Sequence, residues 1–212
     1  PATTFPQTVN DKVFIGDGKS ITITNQATNY LYTLRVQNTG RLDFIGNNAF
    51  VQGDSLVVED GATLGISSQD GISALPAITG NVRTDTARIL SSDATYIYNG
   101  TSDQITGDGL PDLLSTLIIE NTGLTDSTVS LSKSVQIRDS LVIRKGKFHL
   151  FLNGTFSANG ETGDTTGRQF IMYGGEIFCQ TFPQNYKAPI FNAGTVTFDG
   201  TGSVSIPSSQ AP

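Results

Sequence analysis

The sequence predicts an all-β fold, specifically a parallel β-helix (β-solenoid) wound right-handed. Its composition favours strands and turns, because 23 of the 212 residues are glycine, none is tryptophan, and Ser, Thr, Asn and Asp are frequent. Apolar residues also recur as short alternating pairs, about six residues apart. The clearest series is Val129/Leu131, Val135/Ile137 and Leu141/Ile143. Short strands that each end in a bend wind a chain into a coil of roughly 18 to 24 residues per turn.

A repeated octapeptide is the third observation behind this prediction. Thr33–Gly40 reads TLRVQNTG, and Thr116–Gly123 reads TLIIENTG. Alternate side chains of an extended strand share a face, so the Leu, Val or Ile, and Asn positions of each copy lie together. We expect that face to point into the core, with Asn38 and Asn121 at corners, where their amides satisfy backbone groups that a turn leaves unpaired. The glycine that ends each copy is expected to supply the turn conformation.

Two further patterns repeat along the chain. DSLVVEDG begins at Asp54, and DSLVIRKG begins at Asp139. An apolar strand closed by an Asp-Gly or Asn-Gly turn recurs at Gly18, Gly100 and Gly200. Repetition at this spacing is typical of arrays in which each unit stacks on its neighbours.

The repeats predict one solenoid segment over residues 1–212, as a fragment of a longer protein. It contains about two and a half modules, at approximately 13–93, 94–193 and 194–212. Two tandem immunoglobulin-like sandwiches are the alternative. Sandwiches, however, are built from longer strands in hairpins, and no Pro- or Ser-rich linker separates the copies here.

Charge and hydropathy exclude several classes of function. The net charge is −6, and no Lys/Arg-rich stripe is long enough to follow a phosphate backbone, so nucleic-acid binding is not expected. No apolar stretch approaches the roughly 18 residues of a membrane span. The single cysteine, Cys179, has no partner for an internal disulfide, and we expect it to be a small buried side chain in a strand.

The middle of the chain resembles a known group of repeats. The run Ala94–Gly123, ATYIYNGTSDQITGDGLPDLLSTLIIENTG, is followed by VSLSKSVQIRDSLVIRKGKFHL. Together they resemble the repeats of very large secreted surface proteins and adhesins that bacteria export by the type IX secretion system. The similarity extends from about Asn81 to Gly160, and more loosely from Val13 to Leu64. It implies a parallel β-helix, export to the cell surface and neighbouring segments of the same large chain, but no particular ligand.

A cluster of basic side chains is the candidate site for a carbohydrate-active protein. The cluster comprises Arg138, Arg144, Lys145, Lys147 and His149. Lys147 and His149 flank Phe148, so an inward Phe148 would turn both outward together. Glycosidases need paired carboxylates, and lyases need a base beside a cation. No carboxylate motif occupies matching repeat positions, so we expect a solvated basic patch, assign no catalytic residue and do not expect an enzyme.

Two tyrosines are the candidate contacts for a bound sugar. Tyr96 and Tyr98 share one face of a predicted strand, and sugars commonly stack on aromatic rings. The alternative is that both rings pack in the core or at an edge.

Three Asp-Gly turns are candidate calcium sites, at Asp17, Asp108 and Asp199. Calcium needs six to eight oxygen ligands, and each turn offers one or two. Plain turns are therefore favoured, and no metal or cofactor is expected.

A second resemblance concerns covalent modification. Asp followed by Ser or Thr, and then by an apolar residue or Thr, resembles the O-glycosylation motif of exported proteins in the same bacterial group. It occurs at Ser55, Thr86, Ser127, Ser140 and Thr165. At any one of these positions the pattern also fits an ordinary turn that leads into a strand.

These observations predict a non-catalytic structural or adhesive segment of a secreted cell-surface protein. The alternative is a β-helix that binds or cleaves carbohydrate near Lys147 and His149. The expected partners are neighbouring segments of the same chain, other cell-surface proteins or glycans.

Overall fold

The computed structural model describes residues 10–28, 30–123, 127–133 and 135–149, followed by five short strands of the C-terminal part. The strands are β1 (Lys12–Ile15), β2 (Ser20–Thr24), β3 (Leu31–Val36), β4 (Arg41–Ile45), β5 (Val51–Val58), β6 (Thr63–Ile66), β7 (Val82–Leu90), β8 (Thr95–Tyr98), β9 (Gln104–Ile105), β10 (Leu113–Glu120), β11 (Thr128–Ser130), β12 (Val135–Lys145), β13 (Lys147–His149), β14 (Phe156–Ser157), β15 (Gln169–Met172), β16 (Glu176–Cys179), β17 (Ile190–Phe191) and β18 (Thr195–Phe198). Cys179 thus ends a strand, as predicted.

The strands stack into three parallel sheets, and the predicted all-β parallel β-helix is confirmed. Sheet 1 has the order β1-β3-β5-β7. Sheet 2 runs β2-β4-β6-β8-β10-β12-β15-β17 with β14 beside β12, and sheet 3 has the order β18-β16-β13-β11-β9. Successive strands of one sheet lie a full turn apart in sequence, so the chain coils rather than doubling back in hairpins. The tandem-sandwich alternative is therefore wrong.

The register of sheet 2 gives the length of each coil. Ser20 pairs with Arg41, Arg41 with Thr63, Thr95 with Thr116, and Thr116 with Ser140. These steps of 21 to 24 residues agree with the predicted coil. The step from β6 to β8 is 32 residues, because a loop of residues 67–81 precedes β7. The right-handed winding and the module boundaries stay predictions.

A continuous apolar core runs along the coil axis. Leu64, Tyr96, Leu117 and Leu141 occupy matching positions on four consecutive strands of sheet 2, and all are fully buried. They belong to one cluster to which the three sheets contribute. Burying one such side chain is worth about 1.5–3 kcal/mol, so each coil is stabilised mainly by its neighbours.

The two copies of the octapeptide lie on different sheets. Residues 33–36 belong to β3 in sheet 1, whereas residues 116–119 belong to β10 in sheet 2. Each copy stacks on its own Ser-Leu-Val strand, because Thr33 pairs with Ser55 and Thr116 with Ser140. The sequence repeat thus reproduces a pair of stacked strands and not a side of the coil.

The predicted corner asparagines behave differently from each other. Asn121 is buried, and its side-chain N–H groups donate to the carbonyl of Ser102 at 2.7 Å, as the repeat predicted. Asn38 is exposed, so the prediction that its side chain points into the core is wrong. The turn after β3 carries its left-handed backbone at Thr39, with φ of 55°, rather than at Gly40. A Cβ on Gly40 would lie 2.6 Å from the carbonyl oxygen of Ile15, so this glycine permits close stacking of turns.

Candidate functional site

Two members of the predicted basic patch, Arg138 and Arg144, pair with carboxylates. Arg138 Nη2 lies 2.5 Å from Asp93 Oδ1, and Arg144 Nη1 lies 3.3 Å from Glu120 Oε2. Phe148 is buried, as predicted, so Lys147 is turned outward on β13. The backbone of His149 ends the same strand, but its side chain lies outside the described part.

Tyr96 and Tyr98 are core residues, and their assignment as carbohydrate contacts is wrong. Both side chains are 0% exposed. The Tyr96 hydroxyl donates to the carbonyl of Ser91 at 2.7 Å, and the Tyr98 hydroxyl donates to that of Thr106 at 2.6 Å. The strand alternation turns both rings inward, which is the packing alternative.

The buried tyrosines make stability depend on pH. Burial raises the pKa of Tyr96, and burial together with the neighbouring Tyr96 raises that of Tyr98, above the ordinary value of 10.0. Because the folded pKa exceeds the unfolded one, this contribution to stability is complete below about pH 10 and is lost at higher pH. We expect the free energy of unfolding in urea to fall above about pH 10, and to fall less in Tyr98→Phe. An equal fall in the variant would contradict this cause.

The Asp-Gly turns show no calcium geometry. In the described ranges, no three His, Cys, Asp or Glu side chains lie close enough together to hold a metal ion. The carboxylate of Asp108 accepts a hydrogen bond from the backbone N–H of Ala74 at 2.7 Å, so it fixes a loop. Asp17 is exposed, and Asp199 lies outside the described residues.

The predicted glycosylation positions differ in accessibility. Thr86 is exposed, Ser55 and Ser140 are half-buried in strands, and Ser127 is buried. Thr165 lies outside the described residues. An O-linked sugar needs a hydroxyl that points into solvent, so the folded chain favours Thr86 among the four described positions.

A buried network of amides lies at the corner between sheets 2 and 3. Gln104 Nε2 donates to the carbonyls of Ile66 and Ser68 at 3.1 and 3.0 Å. Its Oε1 accepts from the Gly100 N–H at 2.9 Å and from Asn121 Nδ2 at 3.0 Å. The Gln104 amide thus links three successive turns. The octapeptide indicated Asn121, but nothing local in the sequence distinguishes Gln104 from a surface glutamine.

Asn81 continues this polar network one turn earlier. Its Oδ1 accepts from the backbone N–H groups of Ser67 and Ser68 at 2.8 and 2.7 Å, and its Nδ2 donates to the carbonyl of Ala49 at 2.5 Å. These bonds anchor both ends of the 67–81 loop. The first and last residues of the loop are therefore held against the coil.

Arg88 holds the rest of this loop from an unusual position. In sheet 1 it stacks on Leu34 and Leu56, at a position that is apolar and buried on the earlier turns. Its guanidinium donates to the carbonyls of Ser73, Ala77 and Thr84 and to the Ser73 hydroxyl. Burial lowers the pKa of Arg88, while the nearby Asp108 carboxylate raises it. Arg88 thus occupies a position that holds a core leucine on the two preceding turns, and its guanidinium binds the 67–81 loop.

Removing the Arg88 guanidinium should release the loop. In Arg88→Leu, the carbonyls of Ser73 and Ala77 lose their donors, so we expect faster thermolysin cleavage at Leu75 or Ile78. A cleavage rate at least tenfold above wild type is the expected result. Arg35→Leu is the matched control, because Arg35 pairs with Glu59 on the surface of sheet 1. Equal cleavage rates in the two variants would contradict the clamp.

A groove lies where the loop meets the following turn. Its volume is about 450 Å³, and its walls come from β7, the 67–81 loop and residues 108–112. Apolar side chains in the lining are Leu75, Leu90, Leu110 and Pro111, and charged ones are Arg88, Asp108, Asp112 and Lys133. The groove therefore offers apolar surface beside hydrogen-bonding groups, an arrangement that suits binding.

No protein-family model, curated protein or solved structure matches the chain. In the part of the chain that the structure describes, no helix reaches the length and apolar character needed to cross a bilayer.

Proposed function

We propose that the chain is a non-catalytic structural or adhesive segment of a secreted cell-surface protein. The observation that carries this proposal is the unbroken stack of eight parallel strands along the main path of sheet 2. Backbone hydrogen bonds run along the coil axis beside one continuous apolar core, an arrangement that makes a stiff spacer. The matching outward positions Ser20, Arg41 and Thr63 differ between turns and none of them is buried, so surface contacts can vary without changing the core.

The resemblance of the repeats supports a finer form of this proposal. The segment belongs to a much longer polypeptide that is exported by the type IX system, and neighbouring coils of that polypeptide cover its ends. Exposed ends of a solenoid are unpaired strand edges, which need such cover. Thr86 is the proposed O-glycosylation site, since its hydroxyl is exposed.

Masses of the native protein test the proposal. We expect material recovered from the cell surface to belong to a parent far heavier than 22.5 kDa, and peptides that contain Thr86 to carry sugar. A free, unmodified species of 22.5 kDa inside the cell would contradict it. Polysaccharide cleavage that disappears in His149→Ala would instead establish the carbohydrate-active alternative.

A further inference from the structure

We propose that the far edge of β7 is a docking site for an extended peptide strand of a partner protein. The docked strand would add to sheet 1 next to Arg88–Leu90 and fill the groove described above. The proposal concerns a peptide-binding site and holds whether or not the chain belongs to a surface fibre.

Sheet 1 ends at β7, whereas sheet 2 continues from β8 to β10 and β12. In a parallel ladder, alternate residues direct their N–H and C=O groups to opposite neighbours. The Ser91 N–H donates back to Val58 at 3.0 Å, whereas the Ser92 carbonyl accepts from Ser115 of the following turn at 2.6 Å. Arg88 and Leu90 lie an even number of residues before Ser92. Because the direction of the backbone groups alternates, the N–H and C=O groups of Arg88 and Leu90 also face the following turn.

Among the residues that the structure describes, those backbone groups form an open edge. Within residues 30–123, all of which are described, no backbone group pairs with the N–H or C=O of Arg88 or Leu90 on that side. Unpaired groups of this kind are a template for another strand. The edge is short, and a peptide of three to five residues would cover it.

The next turn leaves β7 because the loop holds it elsewhere. The Gly109 N–H donates to the carbonyl of Ile72 at 2.8 Å, and Asp108 accepts from the N–H of Ala74 at 2.7 Å. A Cβ on Gly109 would lie 2.4 Å from the Ser73 carbonyl oxygen, so this contact is close. Residues 108–112 therefore line the groove rather than pairing with β7.

The groove chemistry defines the occupant. Two cationic side chains, Arg88 and Lys133, face two carboxylates, Asp108 and Asp112, so the lining carries no net charge. Lys133 Nζ lies 2.6 Å from Asp112 Oδ1, and the Arg88 guanidinium is engaged by loop carbonyls. A highly charged peptide would find no free counter-charge there. An uncharged extended peptide with apolar side chains at alternate positions satisfies both the backbone edge and the apolar walls.

Fluorescence polarisation of a labelled peptide tests the site. The probe is fluorescein-Gly-Ser-Val-Thr-Ile-Thr-Val-Ser-Gly, titrated with the full chain. One control peptide is N-methylated at the Val and Ile residues, and the other is N-methylated at the Thr residues. Each control thus lacks the backbone N–H donors on one edge of the extended peptide. We expect the probe to bind and methylation on one edge to abolish binding, because only one edge faces β7. No binding, or equal binding of all three peptides, would overturn the proposal.

A pair of loop variants locates the peptide. Leu75 lines the groove and is 38% exposed, whereas Ile78 lies on the same loop, is 55% exposed and does not line the groove. Leu75→Ser should raise the Kd of the probe about tenfold through loss of apolar contact, and Ile78→Ser should leave it unchanged. Equal effects of the two variants would overturn the location.

Self-association distinguishes the remaining occupant. If a partner peptide is the occupant, sedimentation of the unlabelled chain should show no dimer that forms through the groove. A dimer of that kind would grow with concentration and disappear in Leu75→Ser. Such a dimer would identify a second copy as the occupant and overturn the assignment to a partner peptide.

Discussion

Tyr98→Ala should lower the free energy of unfolding by about 3–5 kcal/mol, the range for removal of a buried aromatic side chain. Tyr98 is fully buried and pairs in register with Ile66 of β6 and Ile119 of β10. The stacked strands on both sides fix the size of the cavity, so neighbouring turns cannot collapse into it. Urea unfolding followed by far-ultraviolet circular dichroism measures the effect.

Two further variants separate packing from hydrogen bonding at this position. Tyr98→Phe should cost only about 1 kcal/mol, because the Thr106 carbonyl still accepts from the Ile72 N–H at 3.1 Å. Tyr32→Ala is the surface control, since Tyr32 is exposed, and should change stability by less than about 0.5 kcal/mol. A cost of Tyr98→Ala that matched the Tyr32→Ala control would show that Tyr98 is not in the core.

Gln104→Met should lower the free energy of unfolding by about 2–4 kcal/mol. Methionine keeps the length of the side chain but removes its four hydrogen bonds. The Gly100 N–H and the Asn121 amide then lose an acceptor inside the protein, and the Ser68 carbonyl loses a donor. The loss of stability is larger than for one surface hydrogen bond, because water cannot reach these buried groups to replace the missing partner.

Gln69→Met is the matched control for this prediction. Gln69 makes the same type of amide contact, to the Ser102 hydroxyl at 3.0 Å, but it is exposed. Water replaces that bond, so the change should be within about 0.5 kcal/mol. Equal destabilisation by the two substitutions would argue against a buried amide network.

The sequence was sufficient to predict the coil because its signals are local and repeated. Alternating apolar pairs separated by bends specify inward positions, and Leu34, Val36, Leu117 and Ile119 are all buried as the octapeptide predicts. The same pattern cannot say which side of the coil a strand occupies. That depends on the accumulated length of earlier turns, including the 67–81 loop, and the two copies consequently lie on different sheets.

The errors at the candidate sites have a related cause. Alternation shows that Tyr96 and Tyr98 share a face, but the neighbouring turns decide that this face is the interior. Arg88 has the pattern of a surface residue in a strand, and its role becomes visible only when the carbonyls of the 67–81 loop are placed around its guanidinium. The groove likewise depends on a strand missing from sheet 1, which no local pattern reports.

Distances between spin labels on the outer face of sheet 2 test the stacked coil most directly. Ser20, Thr95 and Ser140 occupy matching positions that are three and five strands apart. In a Cys179→Ser background, nitroxides at Ser20→Cys with Thr95→Cys, and at Ser20→Cys with Ser140→Cys, should lie about 14 and 24 Å apart, at about 4.8 Å per strand. A second distance that is shorter than the first, or that exceeds about 40 Å, would contradict a single parallel β-solenoid.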